Sequence, residues 1–136
     1  MRLPQSFGVK GPNPDIDGAF AAMLNEHAGA VLVREEPITV VHRKRIAELA
    51  NADRLPSMFA RDWVDAGGLM AYGTSVVEAV RRMAGFVDRI LKGASVGDLP
   101  VETVTRQELV LNVKTAREID LNFPPNLLKR ANTIVR

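Results

Sequence analysis

Two kinds of hydrophobic pattern alternate along this chain. Short continuous apolar runs, such as Ala30–Val33 and Leu69–Tyr72, are typical of strands that are covered on both faces of a parallel sheet. Between these runs, apolar residues recur at spacings of three and four, which indicates amphipathic helices. The longest stripe of this kind lies in Ser75–Lys92. The alternation predicts an α/β fold with a mostly parallel sheet and helices on both of its faces.

The pattern divides the chain into an irregular N-terminal arm, residues 1–14, and a single α/β domain, residues 15–136. Prolines and glycines break up the arm, and a short strand is predicted near Phe7–Val9. In chain order, the domain is predicted to contain a helix from Asp15 to Gly29, strand Ala30–Val33, a helix from Pro37 through Leu49, strand Leu55–Phe59, a short helix Arg61–Ala66, strand Leu69–Tyr72, helix Ser75–Lys92, strands Val101–Val104 and Glu108–Val113, and helices Thr115–Ile119 and Pro124–Val135.

Composition narrows the class of protein. The 136 residues are 46% hydrophobic and 25% charged, which suits a globular domain with one modest core. The net charge is only +2, and the basic cluster His42–Arg45 falls inside a helical pattern. We therefore interpret the cluster as a solvated face and expect no nucleic-acid partner. The sequence contains no cysteine, so disulfides, thiol catalysis and cysteine-ligated metals are excluded.

Motifs of enzymes and of targeting segments are absent from the sequence. There is no phosphate-binding loop, nucleophile elbow or His-Glu-x-x-His motif, and His27 and His42 lack acidic partners at metal-ligand spacing. We expect a non-catalytic protein without a metal or cofactor. The N-terminus has no apolar core of a signal peptide, and no apolar run approaches the roughly 20 residues that span a bilayer. A chain that is complete as written would stay in the cytoplasm.

The predicted strand Leu69–Tyr72 ends in Gly73-Thr74-Ser75, which can start a helix. Open α/β sheets bind ligands where a strand ends and a helix begins. Tyr72 can stack on an aromatic ligand, and Gly73 and Thr74 can offer N–H and hydroxyl groups to an anion. The alternative interpretation is a strand-end aromatic residue followed by a helix cap.

Charged residues follow the two other predicted parallel strands. Glu35 and Glu36 can meet a ligand ammonium group, although a charged helix start is the simpler explanation. Arg61 can pair with a ligand carboxylate, and the alternative is a surface ion pair. Trp63, with apolar neighbours, is predicted to be a packing residue.

Two segments resemble a known family. Arg45–Gly73 includes Ala-Gly-Gly-Leu-Met-Ala-Tyr-Gly, and Leu91–Pro125 includes Leu-Lys-Gly-Ala, Gly-Asp-Leu-Pro-Val-Glu and Glu-Leu-Val-Leu-Asn-Val-Lys-Thr-Ala. These features resemble the tryptophan/tyrosine-type substrate-binding proteins of ABC transporters, which have the type I periplasmic-binding-protein fold. The resemblance runs from about Asp15 to the C-terminus. It implies that the chain corresponds to the C-terminal portion of a receptor more than twice its length.

The resemblance also implies function. Members of this family close two α/β lobes over a small solute and dock on a membrane permease in the periplasm. Residues 15–60 should resemble the second lobe and residues 61–104 the first lobe, followed by a C-terminal strand and helices over residues 105–136. We expect a solute-binding module for an amino-acid-like or aromatic solute.

A partial receptor predicts uncovered surface. The helix Ser75–Lys92 would lack a partner for its apolar face, and exposing each large side chain costs about 1.5–3 kcal/mol. Two copies can cover each other, so we predict a homodimer, with exchange of elements as one form of it. A truncated dimeric structural or regulatory remnant without a solute site is thus the main alternative function. A nucleotide-dependent enzyme on a flavodoxin-like sheet is a weaker alternative, because the phosphate motifs are missing.

Overall fold

A computed structural model describes residues 5–9, 11, 13–59, 61–74, 76–103 and 107–136, with the backbone alone for Arg61, Asp62 and Val76. The helices are α1 (Ile16–Asn25), α2 (Pro37–Val41), α3 (Arg43–Ala52), α4 (Val76–Leu91), α5 (Val113–Glu118) and α6 (Pro125–Arg130), with 3-10 helices at Arg61–Ala66 and Val96–Asp98. The strands are β1 (Val31–Leu32), β2 (Ser57–Phe59), β3 (Met70–Thr74), β4 (Gln107–Asn112) and β5 (Thr133–Val135).

One five-stranded sheet joins the strands in the order β1-β2-β3-β4-β5. Among the described strands, the pairs β1–β2, β2–β3 and β4–β5 are parallel, and β3–β4 is antiparallel. The predicted mostly parallel sheet is therefore confirmed. The carboxyl ends of β1, β2 and β3 lie at one edge, where β4 begins.

Helices cover both faces of the sheet, as predicted. Side chains alternate along β3 and β4, so successive residues point to opposite faces. Ala71 and Val110 pack with Val64 of the 3-10 helix on one face. On the other face, Met70 and Leu111 pack with residues of α5 and α6.

The largest core cluster lies between β1, β2, α1 and α3. Phe59 and Trp63 stack at its centre, with ring centroids 5.3 Å apart and an interplanar angle of 26°. Ile16 and Phe20 of α1 pack against the same cluster. The predicted packing role of Trp63 is confirmed, since only 2% of this residue is exposed.

An exposed ion pair also connects α1 to α3. Arg45 donates a hydrogen bond to Asp17, and that hydrogen bond and the carboxylate charge raise the pKa of Arg45. The pair links two helices that already share the apolar cluster.

The predicted helix from Pro37 through Leu49 is wrong in one respect, because it is two helices. His42 (φ −97°, ψ 13°) ends α2 and precedes α3. The four residues before it, Ile38-Thr39-Val40-Val41, are all β-branched, and such side chains lose rotamer freedom in a helix. Arg43 Nη1 then donates to the carbonyl of Val40, 3.1 Å away.

Three further element predictions need correction. The helix that begins after Pro124 ends at Arg130, and Thr133–Val135 form β5 beside Val110–Asn112 instead. Asn132 fixes this connection, because its Oδ1 accepts from the N–H of Leu109 at 2.8 Å. Residues 101–103 and 5–9 are irregular rather than strands. Val104, the last residue of the predicted strand, lies outside the described residues.

The predicted division into lobe-like parts stays a prediction. The described strands nevertheless form a single sheet, in which β3 pairs with β2 on one side and β4 on the other. The boundary drawn between residues 60 and 61 therefore does not separate two sheets.

Helix α4 differs from the other helices in its surroundings. It is 16 residues long, and none of its described side chains is buried. Its apolar stripe is exposed instead, up to 82% at Leu91. The predicted absence of an intramolecular cover for this helix is thus confirmed for its described side chains.

Replacement by alanine should have opposite effects on stability at Gly85, within α4, and at Gly93, just after it. Gly85 lies in the helix interior, where an added Cβ meets no atom within 4 Å, so Gly85→Ala should raise the free energy of unfolding by about 0.5–1 kcal/mol. Gly93 follows the helix with φ +97°, so Gly93→Ala should lower it by about 1 kcal/mol. Urea unfolding followed by circular dichroism measures both. Equal effects of the two changes would contradict this description of α4.

Candidate functional site

The edge formed by the carboxyl ends of β1–β3 collects most of the predicted site residues. Leu32, Met58 and Met70 lie side by side on the three strands. Three positions farther along, the chain reaches Glu35, Arg61 and Gly73, respectively. Neighbouring strands are about 4.8 Å apart, so the first and third strand ends are separated by roughly 10 Å. That span suits a small solute lying across the strand ends.

Tyr72 is the aromatic residue at the end of β3 on this edge. It lies on β3 opposite Leu109 of β4, and 51% of it is exposed. The neighbouring residue on the strand, Ala71, is fully buried. The aromatic ring is therefore anchored by a buried strand while much of its surface faces solvent.

Gly73 leaves free space next to the strand end. A Cβ added to it would meet no atom within 4 Å, so the backbone is open to approach from outside. Its partner in the register is Glu108, which is only 8% exposed. A nearly buried carboxylate thus lies beside an open stretch of backbone.

Thr74 ends β3 and contacts the start of β4. Gln107 Nε2 donates to Thr74 Oγ1 at 3.3 Å. Ser75, the predicted alternative cap of the next helix, lies outside the described residues, and α4 begins at Val76. The hydroxyl of Thr74 is therefore held at the edge by a side chain from the neighbouring strand.

The two glutamates after β1 have different surroundings, although both are exposed. Glu36 pairs with Arg34 at 3.2 Å, and its N–H donates to Thr39 Oγ1 at 2.9 Å at the start of α2. This supports the simpler explanation for Glu36, a charged helix start. A ligand contact of Glu35 or Glu36 stays a prediction.

Arg61 follows β2 at the same edge. Its backbone begins the 3-10 helix Arg61–Ala66, but its side chain lies outside the described part of the structure. The predicted carboxylate contact of Arg61 is therefore untested.

Two residues at this edge were missed by the sequence reasoning. Gln107 and Glu108 precede the apolar part of β4. Gln107 contacts Thr74 of β3, which lies 33 positions earlier in the sequence, and Glu108 lies opposite Gly73 of β3. The available signal was the spacing of two residues between Glu108 and buried Val110, which indicates that both side chains point to the same face of the sheet.

The glycine pair Gly67-Gly68 lies at the opposite edge, before β3. The carbonyl of Gly67 accepts from Asn51 Nδ2 at 2.9 Å and from Thr115 Oγ1 at 3.1 Å. These contacts give the pair a structural role in joining α3 and α5 to the start of β3. A cavity of about 150 Å³ near the same edge is lined by residues of α5, α6 and their connection, including Phe123 and Leu128.

The described residues contain no group of three or more potential metal ligands. Within the same residues, no helix is both long and apolar enough to cross a membrane. What the edge does offer is an exposed aromatic ring, open backbone and hydroxyl, amide and carboxylate groups.

Comparison with known proteins identifies the family. Residues 10–135 match the family model described as ABC transporter substrate binding protein. The chain belongs to this family. The resemblance in the two sequence segments is thereby confirmed.

One curated relative has a name that states its ligand. A tyrosine-binding protein of Clostridioides difficile (strain R20291) is 26% identical over 77 residues, which are 56% of this chain and 22% of that protein.

Solved structures share the fold at low sequence identity. The ABC domain of Streptococcus pneumonia in complex with L-Trp has a TM-score of 0.79 and 21% identity, and a conserved domain protein of Vibrio cholerae has 0.78 and 22%. A ligand-free, open substrate-binding protein with adhesive properties from Clostridium difficile has 0.65 and 16%. The matches cover 88–89% of this chain but only 40–41% of those structures. The chain therefore spans less than half of their length.

Proposed function

We propose that this chain is a solute-binding module of an ABC importer that takes a small amino-acid-like or aromatic solute at the carboxyl edge of β1–β3. The observation that supports this most is the combination of half-exposed Tyr72 with open backbone at Gly73. Thr74 and Arg61 supply a hydroxyl and a cation for the polar groups of the solute, with Glu35 and Glu36 on the flank. In keeping with its family, the module would act outside the cytoplasmic membrane and deliver solute to a permease.

The names of the relatives favour an aromatic amino acid. One is called tyrosine-binding and another was solved with L-Trp. An exposed ring at a strand end suits stacking with such a side chain, an arrangement worth about 0.5–1.5 kcal/mol beyond the buried area. One wall alone buries less of a solute than a closed cleft, so we expect weak binding.

Solution NMR with calorimetry tests the proposal on the 136-residue chain. L-tryptophan, L-tyrosine and phenylacetate are titrated, with glycine and citrate as controls. We expect heat and amide shifts at Gly73 and Thr74 for the aromatic solutes, and none at Gly67 on the opposite edge. A folded sample that gives neither heat nor shifts with any aromatic solute would contradict the proposal.

Two replacements of Tyr72 distinguish the contribution of its aromatic ring to binding from that of its hydroxyl. Tyr72→Ala should weaken binding about tenfold, because it removes the stacking surface at the edge. Tyr72→Phe should weaken it less than threefold if stacking dominates. Val101→Ala, at a fully solvated site outside the sheet (99% exposed), is the control and should leave the dissociation constant unchanged. Titration calorimetry measures all three, and an unaltered constant in Tyr72→Ala would remove this residue from the site.

The alternative, a dimeric structural or regulatory remnant, has one observation in its favour, the exposed stripe of α4. The two functions make opposite predictions for the strand-end edge. A dimer that buries Tyr72 and binds no solute supports the remnant, whereas a dimer that leaves Tyr72 exposed is compatible with solute binding.

A further inference from the structure

The exposed stripe of α4 has the spacing of a helix-pairing seam. Val77, Ala84 and Leu91 are seven residues apart, and Val80 and Val87 fall between them at the same interval. Apolar residues at alternating spacings of three and four form the contact line of a two-helix coiled coil. We call these five residues the α4 seam. All five are exposed, so the seam is available for a second helix.

We propose that the α4 seam pairs with the α4 seam of a second copy of this chain in antiparallel orientation. This inference goes beyond the proposed function and does not depend on it. A self-complementary surface can close a symmetric dimer, because each copy supplies both halves of the contact.

Charges beside the seam favour the antiparallel orientation. Arg81 and Asp88 lie seven residues apart along one side of it. When Val80 packs beside Leu91 of the second copy, Arg81 faces Asp88 of the second copy, and the reverse pair forms by symmetry. In a parallel pair the same two residues would lie opposite positions 76 and 83, which are Val and Met. Only the antiparallel pair therefore gains two ion pairs.

The remaining flanks fit the same register. On the other side of the seam, Met83 faces Ile90 of the second copy, which extends the apolar contact. Arg81 forms no ion pair with another described residue of its own chain, and Asp88 pairs with Lys92 of the same helix at 2.9 Å. An incoming Arg81 would join Asp88 and Lys92 without leaving a buried charge alone. Ala84 lies opposite Val87 near the centre, where its small side chain lets the helices approach.

Sedimentation equilibrium with charge exchange tests the pairing. We expect a monomer–dimer equilibrium for the 136-residue chain. Arg81→Glu and Asp88→Arg should each weaken the dimer about tenfold, because each replaces two attractions with two repulsions. The double variant Arg81→Glu/Asp88→Arg should return to within about threefold. Lys129→Glu on α6, an exposed site, is the control with the same change in net charge as Arg81→Glu.

All substituted residues are exposed, so the variants should keep the circular dichroism and the Trp63 emission of the parent. A chain that stays monomeric at all concentrations overturns the proposal, whatever other polypeptide covers α4. Single variants that dimerise like the parent, or a double variant that does not recover, also overturn it.

Cysteine crosslinking tests the relative orientation of the two α4 helices directly. Because the parent sequence has no cysteine, only the introduced cysteines can form a disulfide. In the antiparallel register, a mixture of Val80→Cys and Leu91→Cys chains should form a disulfide between the two variants. Each variant alone should not crosslink, because its two copies of the same position are about 16 Å apart along the axis, beyond disulfide reach. Efficient crosslinking of Leu91→Cys with itself, or none in the mixture, overturns the antiparallel pair.

Discussion

Phe59→Ala is expected to lower the free energy of unfolding by about 3–5 kcal/mol, the largest loss among the substitutions considered. Phe59 is 2% exposed, lies on β2 and stacks on Trp63 at 5.3 Å, so its removal leaves a cavity in the main cluster. Because small domains are stable by only about 5–15 kcal/mol, a large fraction of the stability should be lost.

Urea unfolding followed by far-ultraviolet circular dichroism measures this loss independently of the altered environment of Trp63. Leu32→Ala, at a 71% exposed position on the neighbouring strand, is the control and should change stability by less than about 0.5 kcal/mol. If the alanine variant does not fold, Phe59→Leu keeps part of the volume and should show an intermediate loss. Losses below about 1 kcal/mol for Phe59→Ala would mean that the cluster is not the main core.

The centre of the sheet could be predicted from sequence because β2 and β3 fall on short apolar runs that contain buried side chains such as Phe59 and Ala71. Leu55–Phe59 and Leu69–Tyr72 are short, mainly apolar runs. The structure places β2 within the first run, and β3 begins in the second run and extends to Thr74 beside it. Alternation of runs with helical stripes then implies parallel neighbours. This reasoning depends only on local pattern, and it was wrong about Ala30–Val33, because 71% of Leu32 on β1 is exposed and the strand is not covered on both faces.

The edge strand β5 and the break between α2 and α3 could not be predicted, because they depend on features that the local hydrophobic pattern does not show. Thr133–Val135 continue a helical stripe in sequence, yet they pair with β4 because Asn132 and the parallel register with Val110–Asn112 hold them there. The break at His42 arises from a balance between one apolar stripe and four β-branched residues, which a stripe alone does not reveal.

Site residues that are adjacent on one strand could be predicted from the sequence, but those that a neighbouring strand brings to the site could not. Tyr72, Gly73 and Thr74 are adjacent in sequence, so a strand-to-helix signal located all three. Gln107 joins them through a bond to Thr74 from 33 residues away, and Glu108 faces Gly73 from 35 positions away. Only knowledge of which strand pairs with β3, and in which register, brings these residues to the edge.

The glycine pair before β3 lends itself to a second sharp test, because its two members are required for different reasons. Gly67 has φ +96°, a conformation that L side chains rarely adopt. Gly68 instead lies in close contact with the core. Its N–H donates to the carbonyl of Trp63 at 3.1 Å, and a Cβ there would lie 2.7 Å from Phe59 Cδ2 and 3.0 Å from the Trp63 carbonyl oxygen.

Gly68→Ala should therefore lower the free energy of unfolding by about 1–3 kcal/mol, because an added methyl forces the Phe59 ring or the backbone to move. Gly73→Ala is the matched control at the open end of the same strand, and it should stay within about 0.5 kcal/mol of the parent. Combining Gly68→Ala with Phe59→Leu should cost less than the sum of the single changes, because the smaller side chain relieves the contact. Urea unfolding of the four variants measures this coupling. Additive losses would show that the backbone carbonyl of Trp63, and not the ring of Phe59, sets the requirement for glycine at position 68.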